Sequence, residues 1–359
     1  MKSEYNVIGL MSGTSLDGMD LAFCNFTFEN NFWSFKILNA ETIKYSCEWG
    51  KILKNLNKSN SLEFIQIHNE YGRYTGRIVK DFIEKNKIKP DFISSHGHTI
   101  FHQPEKKLTF QIGNGAAIAA ECGVNVVCDF RTLDVALGGQ GAPLVPIGDK
   151  MLFYEYDFCL NIGGISNISF DKNGHRIAFD ICPANIVLNN LASQLNKEFD
   201  ENGEIAASGK INKNLLNELN RIGYYKTLPP KSLGIEWLEK NIFPLLKKTN
   251  ISVEDKLKTF CEHIAVQISN IINFENNKKL KTLVTGGGTH NKYLLSKIRE
   301  FSKSKIIIPD KKIIDFKEAL IFAFLGVLRI RNEINCLKSV TGAKKDNVGG
   351  TVFLIRVCP

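Results

Sequence analysis

The sequence predicts an α/β protein built as two lobes, and three observations carry that expectation. Short apolar strands lead directly into glycine-bearing turns at three places, residues 7–20, 158–170 and 282–288. The first two repeat each other as strand, polar turn, strand, each opening one half of the chain, which suggests a duplicated architecture. Between them lie stretches whose apolar residues recur at helical spacing. With 359 residues, 43% of them hydrophobic and 23% charged, the chain is long enough for two cores and too apolar to be disordered.

Charge and cysteine usage narrow the class further. The formal net charge is +9, but the lysines are scattered singly or in pairs such as Lys106-Lys107, Lys247-Lys248 and Lys344-Lys345. No basic face interleaved with stacking aromatics results, so no nucleic-acid partner is expected, while an acidic small substrate remains compatible. Nine cysteines, without any C-x-x-C spacing, argue against a zinc site or redox pair and fit a reducing cytoplasm. No run approaches the ~18 apolar residues of a membrane span, and the first strand begins almost at once, so neither membrane anchor nor secretion is expected.

The opening stretch, VIGLMSGTSLDGMD, places Ser12, Gly13, Thr14, Ser15, Leu16, Asp17 and Gly18 at a hairpin tip. Such a tip is either a tight turn or a cradle in which backbone N–H groups and hydroxyls surround a phosphate. Residues 32–45 read as a further strand and 61–84 as an amphipathic helix, which ends before Pro90. A short strand at 92–95 precedes the polar SHGHT, so His96 and His98 are candidates just beyond a strand end, or ordinary loop residues. A strand, a glycine turn, a short helix around 116–122 and a strand at 124–128 follow. Next comes a long loop bearing Asp129, Arg131 and Asp134, then Pro143 and Pro146. That charged trio is either a ligand rim or an arginine bridging two carboxylates. A boundary there divides the chain into lobes 1–135 and 136–359, with the last helical segment able to return to the first lobe.

In the second lobe, FCLNIGGISNISF sets Gly163 and Gly164 at the turn of the second hairpin. A strand at 177–179 ends in Asp180, Pro183 breaks it, and a helix starts at 184. Asp180 is thus a candidate general base, or an aspartate that organises the turn. A long helix spans 252–274, and after the strand 282–285 come Gly286, Gly287 and Gly288, where bare backbone can approach a nucleotide. Glu318, near the start of a helix at 317–332, either favours the helix dipole or holds a sugar hydroxyl. Three glycine clusters without a Walker or Rossmann signature point toward the actin-like ATPase class.

Eight motifs run through the chain in order: GLMSGTSLDGMD (9–20), SSHGHT (94–99), FQIGNGAAIA (110–119), VVCDFR (126–131), GGQGAPLVP (138–146), LNIGGISN (160–167), TGGGTHN (285–291) and SVTGA (339–343). In these the chain resembles the anhydro-N-acetylmuramic acid kinases. The resemblance implies a two-lobed actin-like (ribonuclease H-like) fold, with duplicated mixed-sheet domains and a nucleotide cleft between them. It implies ATP and Mg²⁺ as cofactors, a homodimer, and hydrolytic opening of the 1,6-anhydro ring. O6 would be phosphorylated to give N-acetylmuramic acid 6-phosphate in cell-wall sugar recycling. By the same resemblance Asp180 is the base that activates water. The turn at 12–18 and Gly163-Gly164 cradle phosphates with Mg²⁺ near Asp17, Gly286 to Gly288 admit the adenosine, and His96, Arg131 and Glu318 contact the sugar. Arg131 is suited to the lactyl carboxylate.

One segment departs from the pattern. Where the family reads FDTGPGN this chain has FDICPAN, with Ile181, Cys182 and Ala184 replacing Thr and two glycines. If those glycines supply positive φ or close approach, the replacements are expected to cost roughly 1 kcal/mol or more each. This motivates two alternatives, a nucleotide-binding regulator and a divergent anhydrosugar kinase. An actin-like assembly or chaperone ATPase shares the scaffold without the motif set.

Overall fold

The structure is a computed structural model that describes residues 2–13, 16–273 and 280–355. The chain forms two compact units, Met1–Leu152 joined by Phe316–Pro359, and Phe153–Asp315.

In the first unit, β1 (Glu4–Ser12), β2 (Met19–Glu29) and β3 (Phe32–Ile43) form an antiparallel meander. β4 (Phe92–Gln103) pairs parallel to β1, β5 (Leu108–Ile112) folds back on β4, and β6 (Val126–Cys128) lies parallel to β4. The strand Thr351–Phe353 closes the far edge against β6. β1 is covered on both faces, so Val7, Ile8 and Leu10 are all buried in a nearly continuous apolar run. Helix Ser61–Asn86 starts on an Asn60 cap, whose side chain accepts from the Glu63 N–H, and ends in left-handed Lys87. Gly9 has no side chain because a Cβ there would collide with the Ala319 carbonyl of helix Lys311–Ile330, which packs directly on β1.

The second unit repeats this plan with β7 (Phe158–Ile162), β8 (Ile165–Lys172), β9 (His175–Pro183), β10 (Lys281–Thr285) and β11 (Lys305–Ile307). Its sheet order is β9-β8-β7-β10-β11, against β3-β2-β1-β4-β6 in the first. In both, the first three strands form an antiparallel meander and two later strands, β4 and β6 in the first unit and β10 and β11 in the second, run parallel to the first. The same order and directions occurring twice make this the duplicated mixed-sheet plan of the actin-like ATPase fold. Helix Val253–Ile272, capped by Ser252, supplies much of the second core through Leu257, Phe260, Ile264 and Ile268.

Several local expectations require correction. SHGHT is not a loop: it lies inside β4, held by β1 on one side and β5 on the other. The long loop after Cys128 contains two helices, Thr132–Ala136 and Val145–Leu152. The second of these belongs to the first unit, so the division follows Leu152 and not residue 135. Its Asp149 pairs with Lys317 at 2.7 Å, both buried, and Gly148 packs on Ile321. A segment so tied cannot serve as a linker.

Candidate functional site

In the first unit the β1–β2 tip is anchored from below. Ser12, the last residue of β1 and 3% exposed, bonds through Oγ to Tyr45 Oη at 2.6 Å and to His98 Nδ1 at 2.8 Å. Tyr45 Oη in turn meets Tyr71 Oη at 2.5 Å. With two protein partners, the Ser12 hydroxyl secures the root of the turn. Gly13, Leu16, Asp17 and Gly18 then carry the backbone outward, with Leu16 at φ +62° and Asp17 exposed. Thr14 and Ser15 lie outside the described residues. Burial pushes the His98 imidazole down to about 4, so it is neutral here. Tyr45 and Tyr71 carry no signal in the sequence, since each reads as an ordinary aromatic.

Beside this network the structure brings His96 and Arg131 together. β4 and β6 run parallel with Ser95 opposite Cys128, so the residues after each strand emerge side by side. Arg131 Nε and Nη2 both donate to His96 Nε2, at 3.0 and 2.8 Å, and Nη1 donates to the Gly141 carbonyl at 2.7 Å. His96 therefore carries its proton on Nδ1 and donates it to the Gly97 carbonyl at 2.8 Å. Burial, and secondarily the Arg131 charge, hold the imidazole well below its usual range. Burial lowers the guanidinium to about 10 while Glu318 opposes that shift, so Arg131 stays charged at neutral pH. Glu318 is exposed one helical turn before Phe322, whose ring lies 4.5 Å from that of His96. Asp20, within electrostatic reach of Glu318, was not singled out from the sequence. Of the charged trio, Arg131 does not bridge the two aspartates. Asp134 is wholly buried and accepts from Gly141 N, Thr341 Oγ1 and Asn347 Nδ2. A cavity of about 220 Å³ opens alongside, lined by His96, Gly97, Gln111, Asn114, Asp129 and Thr132 among others.

In the second unit the two glycine clusters converge. The carbonyls of Gly163 and Gly164 accept from the N–H groups of Ala184, Asn185 and Ile186, which seats the β7–β8 turn on the start of helix Asn185–Ser193. Gly286, at φ +87°, lies against Asn161 and the Ile162 carbonyl, and Gly288 packs on the Ile162 side chain. Gly287 is exposed, 3.6 Å from Asn185 Nδ2 measured from where its Cβ would be. The result is a bare backbone rim at one end of β7 and β10.

Asp180 does not end its strand. β9 continues to Pro183, with Asn167 opposite Asp180 and Ser166 opposite Cys182, so Ile181 is the extra residue of a β-bulge. The half-buried carboxylate accepts from Leu233 N–H on Oδ2 at 2.9 Å. Burial raises its pKa and that hydrogen bond partly restores it. The strain expected at Cys182 is absent, because it lies on an extended strand, whereas Ala184, at φ −133° and ψ −105°, has a negative φ but sits outside the β and α regions, a conformation costing about 1–3 kcal/mol. Both side chains are fully buried in the second core, and Cys182 Sγ lies 3.2 Å from Ser166 Oγ.

Among the described residues no group of three or more His, Cys, Asp or Glu could hold a metal ion, and no helix is long and apolar enough to cross a membrane.

A family model described as Anhydro-N-acetylmuramic acid kinase matches residues 5–355. The Anhydro-N-acetylmuramic acid kinase of Francisella tularensis subsp. novicida is 33% identical over 98% of this chain and 99% of its own. That of Sulfurimonas denitrificans is 34% identical over 96% and 98%. Among solved structures, the activator of the 2-hydroxyisocaproyl-CoA dehydratase from Clostridium difficile aligns over 91% of this chain and 97% of its own, at 13% identity and a TM-score of 0.45.

Proposed function

Because the chain belongs to the anhydro-N-acetylmuramic acid kinase family and is a phosphotransferase for that sugar, we propose the following reaction. Water attacks C1 of 1,6-anhydro-N-acetylmuramic acid, Asp180 takes its proton, and the C1–O6 bond breaks. The freed O6 then accepts the γ-phosphoryl group of ATP as the bond from the γ-phosphorus to the β–γ bridging oxygen breaks, giving N-acetylmuramic acid 6-phosphate and ADP in peptidoglycan sugar recycling. The observation that carries this reading is Asp180 itself, a half-buried carboxylate at a bulge, with one oxygen held by a backbone N–H and burial raising its proton affinity toward that of a useful base.

The remaining roles belong to the same proposal. The tip residues Gly13, Leu16, Asp17 and Gly18, and the Gly163-Gly164 turn, are read as phosphate contacts, and Gly286 to Gly288 as the adenosine contact. Arg131 uses three of its N–H groups on His96 and Gly141, and the others are available to the lactyl carboxylate. His96 orients that fork, Glu318 meets a sugar hydroxyl, and the adjoining cavity accepts part of the sugar. Mg²⁺ bound with the nucleotide would offset phosphate charge. It takes one or two carboxylates plus phosphates and water, which the single exposed Asp17 suits. Buried free thiols such as Cys24, Cys182 and Cys261 support the cytoplasmic placement, and a homodimer completes the reading. Because Cys182 and Ala184 point into the core, they favour turnover over a regulator without activity.

Incubation with ATP, Mg²⁺ and the anhydro sugar in isotopically labelled water should yield a phosphorylated sugar carrying one labelled oxygen. Asp180→Asn should lower the rate by at least ~10²-fold while the protein still folds. Absence of product from folded wild-type protein, or full activity of the variant, would refute the assignment.

A further inference from the structure

β9 is the edge strand of the second sheet, so the outward-facing backbone of Asp180 needs partners from outside the sheet. One segment supplies all of them. The Asp180 N–H donates to the Lys231 carbonyl at 3.3 Å, Tyr224 Oη donates to the Asp180 carbonyl at 2.7 Å, and Leu233 N–H holds carboxylate Oδ2 at 2.9 Å. Among the described residues no donor engages Oδ1. The segment is clipped to itself: Lys231 Nζ sits 4.6 Å from the centre of the Tyr224 ring, 5.5 Å from that of Phe179, and donates to the Tyr224 carbonyl at 3.2 Å. Its tip, Leu228, is 86% exposed, so the segment contributes little there to the core.

We propose that residues 224–233 are a positioning strap for Asp180, fixing its backbone and Oδ2 so that Oδ1 alone is presented to the attacking water. This rests on the reading of Asp180 as the base. Protection of a sheet edge would explain the two backbone contacts, but not an N–H aimed at the carboxylate. A 1 Å error in placing a base is enough to slow catalysis severely, and a strap joined to the base at three points removes that freedom.

Tyr224→Phe keeps the ring that Lys231 covers and removes only the hydroxyl. Its kcat is expected to fall by ~10-fold with both KM values within ~2-fold, the pattern of a lost transition-state contribution. Leu233→Pro removes the N–H from Oδ2, so the acid limb of the kcat–pH profile should move up by about one unit. The ionisable groups facing Asp180 are Tyr224 and Cys182, which burial pushes up and keeps neutral. Lys231, lowered by burial, faces Cys182, so the limb reports Asp180. Circular dichroism and melting establish that each variant is folded, and Tyr224→Phe remains informative if Leu233→Pro is not. An inactive Asp180→Asn alongside a wild-type kcat in Tyr224→Phe, or an unmoved limb in folded Leu233→Pro, overturns the strap. An active Asp180→Asn overturns the base assignment instead.

Discussion

Alanine at two adjacent glycines separates structure from ligand contact in the loop after β10. At Gly286 the backbone has φ +87° and ψ 165°, a region that L side chains avoid at a cost of about 1–3 kcal/mol. An added Cβ would also lie 2.6 Å from Asn161 Oδ1 and 2.7 Å from the Ile162 carbonyl oxygen. Asn161 can swing aside but the carbonyl is part of β7, so overpacking adds roughly 1–3 kcal/mol. Gly286→Ala should therefore lose about 2–6 kcal/mol, and at about 2–4 °C per kcal/mol the melting temperature falls by roughly 4–24 °C. Gly287 has no positive φ, and the nearest atom to its Cβ position is 3.6 Å away, an ordinary contact. Gly287→Ala should melt within about 1 °C of wild type. Its methyl would occupy the space assigned to the adenosine, so calorimetric titration with a non-hydrolysable ATP analogue should show at least a ~10-fold loss of affinity, about 1.4 kcal/mol. Undiminished affinity in Gly287→Ala would remove this loop from the nucleotide site. An unchanged melt in Gly286→Ala would refute the steric argument.

Two further outcomes follow from buried groups in the first unit. Asp134→Ala orphans donors from Gly141, Thr341 and Asn347, together with the Cys336 thiol that lies 3.0 Å from Oδ1. Urea unfolding should show a loss of about 3–5 kcal/mol, and a loss under about 1 kcal/mol would mean that this network is not what fixes the Gly138–Pro146 loop to the C-terminal segment. His98 has a folded pKa near 4 against 6.5 in the unfolded chain, so the unfolded state binds the extra proton. Its contribution, roughly 3 kcal/mol, is present above pH 6.5 and lost progressively as pH falls through 4. Melting temperatures between pH 7 and 5 should decline less steeply in His98→Gln than in wild type, and parallel curves would contradict the shift.

Much of the plan was legible in the chain because it depends on local chemistry. The turn residues at Gly13, Asp17 and Gly18 and at Gly163-Gly164 mark hairpins whatever surrounds them, and the apolar runs beside them can only be buried strands. The repeat of one pattern in both halves announced the duplicated sheets, and the ordered motifs identified the family. His96, Arg131 and Asp180 could be selected from residue type and place alone, although their roles could not.

What only the tertiary structure decided are the features whose partners lie far away in sequence. His96 and His98 look like loop residues until β1 and β5 pair on either side of them, after which their ring nitrogens are satisfied by Arg131 and Ser12. Asp180 reads as a strand end because Pro183 follows. Pairing with β8 carries the strand past it and forms the bulge. Which way the Cys182 and Ala184 side chains face is not written in the sequence; both face the core, and only Ala184 keeps an unusual backbone, at φ −133° and ψ −105°. Tyr45, Tyr71, Tyr224 and Leu233 have no sequence signature for positioning, since the atoms they hold are between 26 and 53 residues distant. Turn chemistry and hydrophobic period are properties of neighbours in the chain. The orientation of a base and the protonation of a histidine are properties of neighbours in space.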